Sequence, residues 1–262
     1  MHGGVMKPSK TALLIALTAS LAAPLSIRAD QPSPAAAAAF DQYVATIQQQ
    51  RPAEPLLDLS ARQRLRQGQV LIERLTPPND GHLPGALLHH WRGSAFVAGA
   101  TSADFNRVLQ NYTAYSTVFS PQVVTADILG HEGDRFHVKL RVRQKHVITV
   151  VLDTTYDVAF TNPDPHHASS FSRSTRIAEI ASAGSPNEHP LSPSEDHGFL
   201  WALDTWWTAE QADGGLYLQV ESVSLTRSIP AGLSWIIGPY IESVPRDSLA
   251  FTLRSVCRAI HP

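Results

Sequence analysis

Twelve histidines stand in a chain of 262 residues, and imidazole is a frequent metal ligand. The pairs His89-His90 and His166-His167 have no HExxH and no His/Cys spacing beside them, so no metal site is expected. His131 and His137 flank a turn that a hairpin would close. His166, His167, His189 and His197 fall in polar stretches and read as solvated. A serine nucleophile needs a strained turn of the G-x-S-x-G kind. Gly232-Leu-Ser234 lacks the second glycine. No glycine-rich phosphate loop is present, which argues against a nucleotide cofactor. The single cysteine, Cys257, excludes an intramolecular disulfide framework, a CxxC redox pair and a cysteine-rich zinc site. No catalytic constellation and no cofactor follow from these residues.

Three charges interrupt strand-like patterns: Arg176, Glu179 and Glu221. A lone charge facing a core costs several kcal/mol, on the order of a whole domain's margin. Arg176 and Glu221 are therefore expected to pair, either across a surface or around a ligand carboxylate or carbonyl. Trp201, Trp206, Trp207 and Trp235 cluster in the last third with Tyr217, and Tyr156 precedes them. An indole or phenol gives a cavity wall a large apolar body with one polar tip. Successive strand residues face opposite ways, so Trp206 and Trp207 cannot share one core. One is expected under the final helix and the other over an edge. The apolar run Leu233-Ser-Trp-Ile-Ile237, holding Trp235, either packs in the core or forms a loop that gates a cavity or meets a membrane.

These residues need elements to position them. Lys7 and Lys10 precede an apolar run from Ala12 to Ala23, and Ala29 is a fitting cleavage point. This reads as a secretory signal over 1–29, too short to span a bilayer, so the mature chain is expected in a secreted or periplasmic location. Its removal leaves 18 basic and 23 acidic side chains, net −5, which gives nucleic acid no basic field. Hydrophobic residues are 43% and charged residues 17%, which excludes a disordered chain. Residues 30–84 read as an N-terminal extension with a helix over about 35–50, on Phe40, Tyr43, Val44 and Ile47.

From residue 85 the pattern turns to strands. His89 to Ala98, Pro121 to Leu129, Phe136 to Val142, Leu152 to Phe160, Ser172 to Ile180, Phe199 to Thr208 and Leu216 to Thr226 are expected strands. A short helix opens at Thr101 or Ser102, residues 161–170 read as a loop, and Asp213-Gly214-Gly215 as a hairpin turn. Leu249, Leu253, Val256, Cys257 and Ile260 form one apolar helical stripe, which Ser243 and Pro245 are expected to start. The fold class is α+β, with a final helix covering one face of a curved antiparallel sheet.

This order, over about residues 87–261, resembles the START-like, or helix-grip, superfamily of polyketide cyclases and lipid-transfer proteins. The stretch Gly215-Leu-Tyr-Leu-Gln-Val-Glu221 with Ser224-Leu-Thr-Arg227, Ile229-Pro230 and Leu249 to Ile260 carries most of it. Together with Arg173 to Glu179 and Asp196 to Trp201, it is similar to an exported bacterial group of that superfamily. The resemblance implies a cavity between sheet and helix for a hydrophobic or amphipathic small molecule, such as a lipid. Tyr156, Arg176, Trp206, Tyr217, Glu221 and Trp235 are its candidate ligand contacts. Periodicity leaves both sides of the last strand open; the resemblance turns the Tyr217 and Glu221 side toward the cavity. Two other functions stay open: a cyclase or hydratase with Glu221 or a tyrosine as acid–base group, or an interaction protein with a filled core.

Overall fold

A computed structural model describes residues 31–51, 57–75, 81–145, 149–228 and 234–260, with the backbone alone over 234–242. The expected signal segment 1–29 lies outside them.

Two helices come first. In α1 (Pro34–Gln50) the Ser33 hydroxyl accepts from the Ala36 N–H at 3.1 Å, and Pro34 suits a first-turn position that has no ladder partner. Its buried side chains, Ala36, Phe40, Val44 and Ile47, share one face. In α2 (Leu59–Arg66) the Asp58 carboxylate accepts from the Ala61 N–H at 2.7 Å. That bond leads the causes that hold this exposed carboxyl below its ordinary range.

A ten-stranded antiparallel sheet follows: β1 (Leu71–Arg74), β2 (His82–Leu83), β3 (Ala86–Ala98), β4 (Val123–Glu132), β5 (Arg135–Lys145), β6 (Thr149–Asp164), β7 (His167–Ala181), β8 (His189–Pro190), β9 (Ala202–Ala212) and β10 (Gly215–Arg227). The spatial order is β1-β3-β10-β9-β7-β6-β5-β4, with β2 beside β3 and β8 beside β7. β1 and β2 lie within the expected 30–84 extension, so part of that segment is built into the sheet. Between β3 and β4 stand α3 (Ser102–Leu109) and α4 (Tyr115–Val118). Thr101 and Asp104 make a reciprocal capping box at the start of α3. Asp213 and Gly214 take φ of 55° and 76°, the mirror-image turn that closes a two-residue hairpin between β9 and β10.

Two boundaries differ from expectation. The loop read over 161–170 is two strand ends and a turn: Thr161 pairs with Ser169 and Asp164 with His167. The Asp164 carboxylate accepts from the N–H groups of His166 and His167, building the turn locally. The final helix, α5 (Ser234–Ile260), starts nine residues before Ser243 and runs through Pro239 and Pro245. Each proline deletes one ladder N–H, and the surrounding turns carry the helix past it.

Each face of the sheet has its own core. On one face α5 packs through Leu249, Leu253, Val256 and Ile260 with Trp91, Val97, Phe136, Val158, Trp207, Leu216, Leu218 and Val220. Gly93 of β3 permits the approach: a Cβ there would lie 3.2 Å from Leu253 and 3.1 Å from Ile72. On the other face α1 packs with Leu88, Trp206, Val223 and Leu225. The large antiparallel sheet with its C-terminal helix is the helix-grip arrangement, here with helices from the N-terminal region covering the reverse face.

Candidate functional site

The register sorts the candidate residues by face. In β10, Leu216, Leu218 and Val220 belong to the α5 core and Val223 and Leu225 to the α1 core. Alternation therefore puts Tyr217, Gln219 and Glu221 on the α1 and α2 side. This corrects the expected orientation: Tyr217 and Glu221 face away from α5.

Glu221 is 2% exposed and sits in a buried polar network beneath α1. The His90 Nε2 lies 2.9 Å from its Oε1, and the Arg92 Nε donates to Oε2 at 2.9 Å. Arg51, at the end of α1, brings its Nη1 to 3.3 Å of Oε2. Burial works against the charge, but the His90 hydrogen bond and the positive charges of Arg92 and Arg51 outweigh it and hold the carboxyl at about 2. A carboxylate only accepts, so His90 Nε2 carries the proton in this bond, and Nδ1 is left to accept from the Tyr43 hydroxyl at 2.9 Å. One chain of bonds thus runs from α1 through β3 to β10.

Arg176 is not Glu221's partner. It pairs in register with Thr155, next to a register shift, and its side chain is exposed. The bulge follows the alternating stretch of β7 and puts Arg176 on the outer surface of the sheet. Trp206 lies under α1, stacked at 5.2 Å on Phe171 with the Arg51 guanidinium 5.4 Å from its ring. Trp207 lies under α5 beside Phe105. Both indoles are buried, because helices cover both faces; neither covers an edge. Tyr217 is sealed under α2, with the Arg62 guanidinium 4.7 Å from its ring and its hydroxyl donating to Asp213 at 2.6 Å. Tyr156 does face the α5 side and stands in that core; burial pushes its phenol up to about 12. The Trp235 side chain lies outside the described residues.

Three other features stand outside the six expected contacts. Asp204 is buried on the α1 side, where the Arg173 Nε donates to its Oδ2 at 3.0 Å. Its Oδ1 has no partner among the described residues, and burial raises its pKa. His89 is buried on the α5 side with Nε2 at 3.1 Å from the Thr226 hydroxyl. Burial, aided by the charge of Arg74, lowers its pKa to about 4, so the ring is neutral at neutral pH.

The third feature is a run of hydroxyls on the α5 side. Tyr156 and Val158 of β6, both in the α5 core, pair with Ser174 and Ser172 of β7; Ser172 pairs with Thr205 of β9, and Thr205 with Ser222 of β10. Ser170 flanks the row on β7 and Ser224 on β10. The period-two spacing of Ser170, Ser172 and Ser174, and of Ser222 and Ser224, was the available signal. Among the described residues no group of His, Cys, Asp and Glu is arranged to hold a metal ion.

No protein-family model matches the chain, and no curated protein matches it. Solved structures are similar at low identity. The STAR-related lipid transfer protein of Xanthomonas axonopodis is 15% identical, with a TM-score of 0.47 over 69% of this chain and 96% of that one. The Zhui aromatase/cyclase of Streptomyces sp. R1128 is 14% identical, with a TM-score of 0.46 over 66% and 93%. Human STARD10 is 7% identical, with a TM-score of 0.46 over 79% and 80%.

Proposed function

We propose that this chain is an exported binding protein that holds a hydrophobic or amphipathic small molecule, such as a lipid, between the sheet and α5. One observation carries the reading. Ser172, Thr205 and Ser222 stand on interior strands beneath α5, yet each keeps accessible surface. Leu203, Ile177, Leu140 and Phe251 on the same side are also only half-buried. Close-packed interiors leave few such positions, so space between layers is what half-buried interior residues describe. On the opposite face of the same strands Tyr217, Glu221, Val223 and Trp206 are buried, while Phe171 and Arg173 of β7 keep some accessible surface.

The acid–base alternative relied first on Glu221. Facing α1 as a fixed carboxylate, it has no proton to give to a molecule beneath α5 at neutral pH. The filled-core alternative requires the α5 side to be as closed as the α1 side. Export rests on the basic start and apolar run of residues 1–29. No helix among the described residues is long and apolar enough to cross a membrane.

The test is native mass spectrometry of the purified mature protein, with solvent extraction of what is released, and titration with the uncharged fluorophore N-phenyl-1-naphthylamine. The expected result is a co-purified apolar molecule, or saturable one-to-one uptake of the fluorophore with a blue shift. A bare protein that takes up no fluorophore overturns the reading.

A further inference from the structure

The hydroxyl row has a chemistry of its own. Cross-strand neighbours hold their Cβ atoms about 5 Å apart, so Ser172, Thr205 and Ser222 line up as three oxygens across three adjacent strands. None of the three side chains makes a hydrogen bond to the described residues. The row ends at Trp91, which pairs with Ser222 and whose indole N–H also has no such partner. Ser170 and Ser224 flank it, each 7% exposed. They too have no side-chain hydrogen bond among the described residues. Buried hydroxyls are normally satisfied, and Ser174 on the same side does accept, from the Leu203 N–H at 2.9 Å.

We propose that the Ser172–Thr205–Ser222 row, with Ser170, Ser224 and the Trp91 indole, is a subsite for an uncharged oxygen-bearing group at one end of an otherwise apolar ligand. A hydroxyl, an ester or a ketone fits that description. The proposal rests on the reading of the α5 side as the ligand face.

Charge decides the class. The charged side chains at the borders of this face are engaged elsewhere or peripheral. Glu179, toward the end of β7, takes the His197 ring at 3.0 Å and the His197 backbone N–H at 3.2 Å. Arg74 pairs in register with Trp91 at the end of the row but is exposed on the edge strand β1, where water solvates its charge. Arg246 and Asp247 of α5 pair with each other in solvent. His89, beside Ser224, is a neutral ring. Among the described residues no charged side chain stands within the row itself, so a carboxylate, phosphate or ammonium over Ser172 and Thr205 would be desolvated without a direct counter-ion, which is costly. Hydroxyls both donate and accept, so they suit a neutral group of either polarity. The hydrocarbon part then lies along the half-buried Leu203, Ile177, Leu140 and Phe251.

The experiment displaces N-phenyl-1-naphthylamine from the mature protein with three probes of equal chain length: 1-dodecanol, dodecanoate at pH 8 and dodecyltrimethylammonium. The expected result is dodecanol binding about tenfold more tightly than either ion. Thr205→Val, nearly isosteric, and the combined Ser172→Ala, Thr205→Val, Ser222→Ala variant are each read against their own fluorophore affinity. The combined variant is expected to lose most of the affinity for dodecanol. Equal affinity of the three probes for the wild-type protein overturns the subsite, as does a combined variant that binds fluorophore and keeps its dodecanol affinity. Either result leaves the ligand face standing. Absence of fluorophore binding by the wild-type protein overturns the ligand face, and the subsite with it.

Discussion

The two faces of β10 share one alternating sequence but are finished differently. Toward α1 and α2, Tyr217, Gln219, Glu221, Val223 and Leu225 are all buried, and the ionic group among them has three partners. Toward α5, Leu216, Leu218 and Val220 are buried, but Ser222 beyond them is only half-buried and has no side-chain hydrogen bond among the described residues. Along β10 the first face is satisfied by the chain itself, while Asp204 Oδ1 and the Trp201 indole N–H on the same side have no partner among the described residues. The second stops being satisfied partway along the strand.

That contrast breaks most visibly at Glu221. Glu221→Gln removes the charge that His90, Arg92 and Arg51 surround, and a broken buried pair typically costs about 3–5 kcal/mol. Urea unfolding is expected to show a loss in that range, with fluorophore uptake beneath α5 unchanged wherever the protein is folded. If Glu221 served the ligand face, uptake would fall first. Phe40→Ala, on the α1 side, is expected to cost about 3 kcal/mol by the same assay, as deletion of a buried ring does.

Acid separates the faces by pH window. His89 has a folded-state value near 4, below its ordinary 6.5. The stability it contributes is full above pH 6.5 and is lost as pH falls toward 4 and below. Glu221 is depressed from 4.5 to about 2. Its contribution is full above pH 4.5 and is lost as pH falls through 2; each shift corresponds to roughly 3 kcal/mol. Thermal melts from pH 7 to 4 are expected to lose stability mainly through His89. His89→Gln is expected to flatten that part of the profile and leave the lower part intact. An unchanged upper slope would show that the imidazole is not desolvated beneath α5.

The smallest effect is on the hydroxyl row. Thr205→Val removes a hydroxyl with no hydrogen bond among the described residues, so unfolding free energy is expected to change by less than about 1 kcal/mol. A larger loss would mean that the hydroxyl is satisfied inside the protein and that the two faces are finished alike.

Much of the fold was legible in residue order. Phe136, Val138, Leu140 and Val142 against His137, Lys139 and Arg141 gave β5 its two sides, and the Thr101–Asp104 spacing gave α3 its cap. Asp213-Gly214 gave the hairpin. Prolines were the weaker signal: Pro239 and Pro245 did not stop α5, and Pro163 sits at a register irregularity within β6. The site was less legible. Of the six expected contacts, Tyr156 lies toward α5. Arg176, Trp206, Tyr217 and Glu221 lie on the other face, and the Trp235 side chain is outside the described residues. Large aromatic and charged residues drew attention, while serines at period two did not.

The sequence by itself determined which residues share a side of each strand, because the pleat alternates with period two whatever lies above it. It also determined that the sheet is antiparallel and that an amphipathic helix closes the chain. Only the tertiary structure decided which side that helix covers. Both faces of β10 are apolar enough to be buried, and α1 competes with α5 for them. The chain places Arg51 and Tyr43 of the N-terminal region over Glu221 and His90, where their charge and hydrogen bonds are complementary. That match fixes α1 on one face and leaves the hydroxyls of the other beneath α5.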